Sequence, residues 1–365
     1  MTEHRRLVVI EPTYRIVGEG DETFPPAAPP TPPTPRRRWR LPLVLFVLTC
    51  CSTLLVGFFM HASEAAGACL GVPDAAQSCE AYLTSAAFRT DLGLAALYAG
   101  ALLFILTAHE MGHFLQAVRY RVPTSLPFFI PLPLPPFGTM GAILAMRPRA
   151  TRHRSLFDVA VSGPLAGLVP TLLFTFLGLQ RSEIVPIDPD GSLGSITFSV
   201  PPLYDWLGRL ALDIPEGHTL ILHPLAYAGW VGLFITALNL LPIGQLDGGH
   251  ILYTLMPRHA HRVSIALIGA WIAVVVWRGY WQWTLMILLL LLIGLRHPPA
   301  ARGSSQLGWG RRILGVAVLL LVPLSFSIEP IRIQEPTEEP VQQEAPPASE
   351  TLSPTDAPPL VAFRS

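Results

Sequence analysis

The stretch Leu102-Leu103-Phe104-Ile105-Leu106-Thr107-Ala108-His109-Glu110-Met111-Gly112-His113-Phe114-Leu115 sets three ionisable side chains in an otherwise apolar run. His109 and His113 stand four apart, so a helix presents both imidazoles on one face. That spacing suits one zinc ion at about 2.0–2.1 Å from each ring nitrogen. Glu110 follows the first histidine directly, and it would act as general base toward a water at the metal. A bound metal lowers the pKa of such a water toward about 7, which makes hydroxide available at neutral pH. The bland alternative is a set of helix-end residues facing solvent. An ionisable residue near mid-span costs about 2.5–3.5 kcal/mol on insertion scales, so three at metal spacing favour chemistry.

The surrounding composition argues for a membrane. Apolar residues make up 51% of the 365 and charged residues 14%, where a soluble domain carries about 25% charged. The formal net charge is zero and every basic residue is arginine. The absence of lysine reflects a GC-rich genome more than a mechanism, and nucleic acid is not an expected partner. An uncharged run from Leu41 to about Met60 is long enough to cross a bilayer core of roughly 30 Å. It lies too far from the N-terminus, and is too long, for a signal peptide.

Further apolar segments run approximately over 91–118, 156–179, 223–246, 263–277, 282–295 and 312–327. These predict an all-α multi-pass membrane protein of about six to seven transmembrane helices, with the lipid bilayer as its partner. With a cytoplasmic N-terminus, the arginines collect on one side as the positive-inside rule expects. That side holds Arg36, Arg37, Arg38, Arg40, Arg119, Arg121, Arg147, Arg149, Arg152, Arg154, Arg258, Arg262, Arg296, Arg302, Arg311 and Arg312. The opposite loops hold Arg89, Arg181, Arg209 and Arg278. Residues 1–40 read as a Pro/Arg-rich cytoplasmic tail and 328–365 as a disordered Pro/Glu-rich tail, leaving 41–327 as the membrane-embedded domain. The loop from Gln180 to Leu222, with turn signals at Pro189-Asp190-Gly191, would form a small cap. Cys69 and Cys79 flank a polar loop placed outside the cytoplasm, where they form either a disulfide or two free thiols.

Two histidines and a water leave tetrahedral zinc one ligand short. Asp247, in Asn239-Leu240-Leu241-Pro242-Ile243-Gly244-Gln245-Leu246-Asp247-Gly248-Gly249-His250, is the leading candidate, with Asp158 and His250 as rivals. Pro242 breaks a helix there, and an interrupted membrane helix is tolerated where its backbone lines a cavity. Between Pro123 and Arg149, five closely spaced prolines forbid a regular helix while the segment stays apolar. It reads as a re-entrant element, with a short β-hairpin within Gly138–Met146 whose open edge would accept a substrate strand. An amphipathic surface loop is the alternative. Ser162-Gly163-Pro164 and Gly167 invite close packing beside the metal-motif helix, and Ser162 is not read as a nucleophile. His153, His259 and His261 read as surface residues, and Trp277, Tyr280, Trp281 and Trp283 as an interfacial belt.

The chain resembles the site-2 proteases, intramembrane zinc metalloproteases. H-E-x-x-H at 109–113 and N-x-x-P-x-x-x-L-D-G at 239–248 carry the likeness, with Phe137 to Ile143 and Leu156 to Gly167 in support. It is most similar to the branch of chloroplast-type and bacterial members lacking PDZ domains, so a bacterial cell membrane is the expected location. The resemblance covers about 91–255 and marks this as the catalytic core. It implies one zinc ion held by His109, His113 and Asp247, with Glu110 activating water and Asn239 positioning substrate or stabilising the oxyanion. The implied activity is endopeptidase cleavage of membrane-anchored proteins within or near their spans. The rivals are an inactive metal-binding membrane regulator, which would not need Glu110, and a transporter, for which inverted repeats are not visible.

Overall fold

The computed structural model describes residues 39–61, 75–144, 152–186, 196–294 and 307–333. The N-terminal tail, Cys69, Met146, Arg147, Arg149, the Pro189-Asp190-Gly191 turn, Arg296, Arg302 and the tail after Ile333 lie outside the described residues.

The described chain is mostly helical. Helix α1 (Arg40–His61) is followed by α2 (Ala75–Thr84) and the long α3 (Ala86–Arg119). Ser85 caps α3 by accepting the Phe88 N–H at 3.2 Å, and with 34 residues the helix runs about 50 Å. Next come antiparallel β1 (Phe128–Pro131) and β2 (Thr139–Ile143), with Phe128 opposite Ile143 and an irregularity between Phe129 and Pro131. Helix α4 (His153–Leu179) packs along α3. It leads into an insert of β3 (Glu183–Pro186), β4 (Ile196–Phe198), α5 (Pro202–Ala211) and β5 (His218–Ile221). Helix α6 (Pro224–Asn239) then packs on both α3 and α4, and the short α7 (Asp247–Leu255) packs on α4. The remainder is α8 (Ala260–Arg278), α9 (Thr284–Ile293), α10 (Trp309–Leu319), α11 (Leu321–Ser325) and β6 (Ile331–Ile333).

Four of these helices, α1, α3, α4 and α8, are long and apolar enough to cross a membrane. That is fewer than the six to seven expected, and the backbone gives the reasons. The 223–246 run divides at Pro242 and at Gly244 (φ 55), so α6 has only 16 residues. The 282–295 run stops at Gly294 (φ 96), and the 312–327 run turns at Leu320 into two short helices. The outer faces of α1 and α8 leave Leu43, Val47, Leu55, Phe59, Ile265 and Val276 exposed. An apolar surface of that extent suits association with a membrane.

One core joins α3 to α6 through Tyr98, Leu102 and Leu106 against Tyr227, Trp230 and Leu233. A second lies between α4 and α7, where Phe157, Ala160 and Val161 meet Leu240 and Ile251.

Several local expectations change. The hairpin's first strand comes from the proline-rich Phe128–Pro131, ahead of the Gly138–Met146 stretch expected to hold both strands. Prolines are compatible with the edge of a two-stranded ribbon. Strand β6, at the start of the Pro/Glu-rich tail, pairs with β4, with Ile331 opposite Phe198. Trp277 and Trp281 are exposed, as a belt requires, but Trp283 is buried and donates its indole N–H to Ile328 O at 2.7 Å. Tyr280 donates to Glu329. His153 is not a free surface residue, because its Nε2 bonds Thr254 O at 2.8 Å. Cys79 is disulfide-bonded, whereas Cys50 and Cys51 are free thiols.

Candidate metal centre

Helix α3 brings His109 and His113 to one face, and α7 brings Asp247 from 134 residues further along to meet them. The two Nε2 atoms lie 3.1 Å apart, and Asp247 Oδ2 is 3.2 Å from each. These three atoms form a nearly equilateral triangle. Tetrahedral ligands at about 2.0–2.1 Å from a zinc ion stand about 3.3–3.4 Å from one another, so the triangle fits one face of such a site. The tautomer of His113 agrees. Its Nδ1 bonds the carbonyl of Val159 at 2.8 Å, and a carbonyl only accepts, so Nδ1 carries the proton. The Nε2 lone pair is then left for a metal, with the ring oriented by the backbone of α4.

The pocket is cut to this size by residues without side chains. A Cβ at Gly163 would lie 2.1 Å from His113 Nε2 and 2.4 Å from both neighbouring ring carbons. Those near-equal distances place Gly163 over the face of the imidazole, clear of the in-plane lone pair. One turn later, a Cβ at Gly167 would lie 3.0 Å from His109 Cβ. Gly112 meets Ser162 O, and the single Ser162 hydroxyl proton is shared between Val159 O at 2.7 Å and Gly112 O at 3.0 Å. Ser162 is thus a packing residue. Glycine spaced by four along α4 lets the histidine face of α3 approach its backbone.

Asp247 is placed by a similar device. It opens α7, where a carboxylate suits the positive end of the helix. A Cβ at Gly248 would come within 1.8 Å of Leu240 O, and one at Gly249 within 2.4 Å of Gly244 O. The two glycines after Asp247 therefore let the first turn of α7 fold back onto the break that ends α6. Asn239, the last residue of α6, lies half-buried at this break.

Glu110 is buried beside the triangle, and its Oε2 is the one buried side-chain oxygen or nitrogen without a hydrogen-bond partner among the described residues. An orphaned carboxylate oxygen at that depth is costly unless a substrate, metal or water supplies a partner. The triangle and this oxygen together fit a metal with a general base next to it.

The rival ligands are elsewhere. Asp158 receives a two-pronged bond from Arg311 of α10, with Nε to Oδ1 at 2.7 Å and a terminal nitrogen to Oδ2 at 2.9 Å. It also accepts the Tyr120 hydroxyl at 2.5 Å. This ion pair fastens α10 to α4. His250 is buried in α7 but stands outside the His109–His113–Asp247 group.

Residues 97–277 match the family model described as Peptidase family M50, a span that contains every residue of this centre. The chain is 28% identical over 314 residues to the chloroplastic probable zinc metalloprotease EGY1 of Arabidopsis thaliana, covering 80% of this chain and 54% of that protein. It is 32% identical over 233 residues to the chloroplastic EGY1 of Oryza sativa subsp. japonica, covering 59% and 37%. To the chloroplastic EGY2 of Arabidopsis thaliana it is 28% identical over 235 residues, covering 61% and 41%. The chain thus spans about half or less of the length of these relatives. Their names place them in chloroplasts and lend nothing to the expected bacterial cell membrane. The part of the chain that holds this centre is thus similar to peptidase family M50, the family of the site-2 proteases.

Proposed function

We propose that this protein is a zinc-dependent endopeptidase that cleaves membrane-anchored proteins within or beside the bilayer. The meeting of His109 and His113 with Asp247, next to the unpartnered buried oxygen of Glu110, carries this reading. His109 Nε2, His113 Nε2 and Asp247 Oδ2 would hold one zinc ion. When bound, the ion supplies Lewis-acid polarisation of the scissile carbonyl and of a water.

The rest belongs to the chain's own groups. Glu110 Oε2 takes a proton from the attacking water, and the same oxygen then delivers it to the leaving amide nitrogen. Asn239, at the break between α6 and α7, orients the substrate carbonyl or its developing oxyanion. The outer edge of β2 holds the substrate in extended form, because a helical segment hides the carbonyl that must be attacked. The apolar faces of α1, α3, α4 and α8 keep the protein in the bilayer, and the arginine distribution supports an N-terminus on the cytoplasmic side.

The test uses purified full-length protein in lipid vesicles with a membrane-anchored reporter. Glu110→Gln should retain zinc and lower cleavage by about 100- to 10,000-fold, the range for loss of a general acid–base group. Cleavage at the wild-type rate by this variant would contradict the mechanism. Zinc binding without cleavage by the wild type would instead indicate an inactive metal-binding regulator. Zinc flux across the vesicle that survives loss of Glu110 would indicate a transporter.

A further inference from the structure

Three successive carbonyls at the tip of the β1–β2 hairpin each accept a hydroxyl from a different helix. Pro136 O accepts from Tyr227 of α6 at 2.7 Å, Phe137 O from Tyr98 of α3 at 2.8 Å, and Gly138 O from Ser52 of α1 at 2.7 Å. All three donors are buried, and the two tyrosine rings stack at 5.1 Å. Gly138 has φ +80, and a Cβ there would lie 2.7 Å from Thr53 Cα, so the tip also sits hard against the α1 backbone. A two-stranded hairpin is marginal on its own. Here its tip is bonded to the three helices that surround it.

The position of the tip relative to the metal centre gives this cradle a purpose. Tyr98 shares the α3 face of Leu102, Ile105 and His109, and lies eleven residues, or about 16 Å, before His109. From the tip the hairpin advances along α6 toward Asn239. Pro136 meets Tyr227, the Phe137 ring stacks on Trp230 and Phe234, and Gly141 faces Ile235. Strand β2 pairs only with β1 among the described residues, leaving its other edge for a third strand. A strand added there takes its register from β2, and a slip of one residue moves the next peptide bond by about 3.3 Å.

We propose that Ser52, Tyr98 and Tyr227 are positioning residues that fix the register of an extended substrate segment. They would thereby determine which peptide bond of a membrane-anchored protein meets the metal group. This inference rests on the endopeptidase reading above. None of the three touches the reacting atoms; they act through the hairpin.

The experiment uses full-length protein in vesicles with a membrane-anchored reporter, comparing wild type with Tyr98→Phe, Tyr227→Phe and Ser52→Ala. Both phenylalanines keep the stacked rings and remove only the donor. Mass spectrometry of the fragments reads the cut position, which simple loss of folded protein would not move. Wild type should cut at one principal bond. Each variant should also cut at neighbouring bonds, with KM raised several-fold and zinc content unchanged. Hydrogen exchange at residues 139–143 should accelerate in the variants while α4 stays protected. A single unmoved cut site in all three variants, whatever their rates, overturns the register proposal. A wild type that cuts nothing overturns the endopeptidase reading itself, so the two failures are distinguishable.

Discussion

The candidate metal centre and the hairpin tip are both organised around α3, but by opposite means. At His109 and His113 the neighbouring helix supplies absence: Gly163 and Gly167 leave no side chain between the rings and the α4 backbone. At the hairpin tip, the neighbours supply presence, with hydroxyls from Ser52, Tyr98 and Tyr227 reaching three consecutive carbonyls. A contact made by absence tolerates an addition only as far as the gap behind it allows, and that gap is smaller at Gly163 than at Gly167. A contact made by a hydroxyl can lose one bond and keep most of its packing. Substitutions at the first should act as steric blocks, and those at the second should act by degrees.

Gly163→Ala should have the largest effect. Its methyl would stand 2.1 Å from His113 Nε2, so the ring must leave the triangle or α4 must shift. Zinc content should fall to background and cleavage by more than about 100-fold, with destabilisation of about 1–3 kcal/mol from overpacking. Gly167→Ala is the sharper comparison. Its methyl would lie 3.0 Å from His109 Cβ, a distance a small shift relieves. This variant should retain zinc and lose only several-fold in rate. Equal effects of the two alanines, measured as zinc per chain and as kcat/KM, would break the steric account.

On the hairpin side, Ser52→Ala removes one buried hydroxyl and leaves Gly138 O with the Leu132 N–H at 3.2 Å, at a cost of about 0.5–1.5 kcal/mol by thermal unfolding. The zinc should stay. The smallest effect is expected at Arg311→Ala. The Arg311 side chain is 39% exposed, so screening limits its pair with Asp158 to about 1 kcal/mol or less. Cleavage and zinc content should not change, which would separate the α10 clasp from both regions.

How much of this was legible in the sequence follows the same division. The metal motif was, because helical spacing alone puts His109 and His113 on one face. Asp247 stands out as an acidic residue after a proline break in an apolar run, whereas only the structure shows that its rival Asp158 is engaged by Arg311. The Ser162-Gly163 and Gly167 pattern announced close packing, but only the folded backbone says which imidazole each glycine lies under. The hydroxyl cradle is not legible in the sequence. Tyr98 shares the face of His109 at helical spacing, a signal that was present, but its partner is a backbone carbonyl, and backbone carbonyls leave no mark in a sequence. The expected six to seven spans exceed the four described helices long and apolar enough to cross a membrane, because Pro242, Gly244, Leu320 and Gly294 end or divide helices within the apolar runs. Apolar content reports where a helix is buried and says less about where it stops.

The central claim is that residues from α3 and α7 complete one metal site. It is tested most directly by zinc content of purified wild type beside Asp247→Ala and Asp158→Asn. The geometry predicts one zinc per chain in the wild type, retention in Asp158→Asn and loss in Asp247→Ala. Full zinc occupancy in Asp247→Ala, or loss confined to Asp158→Asn, would contradict it.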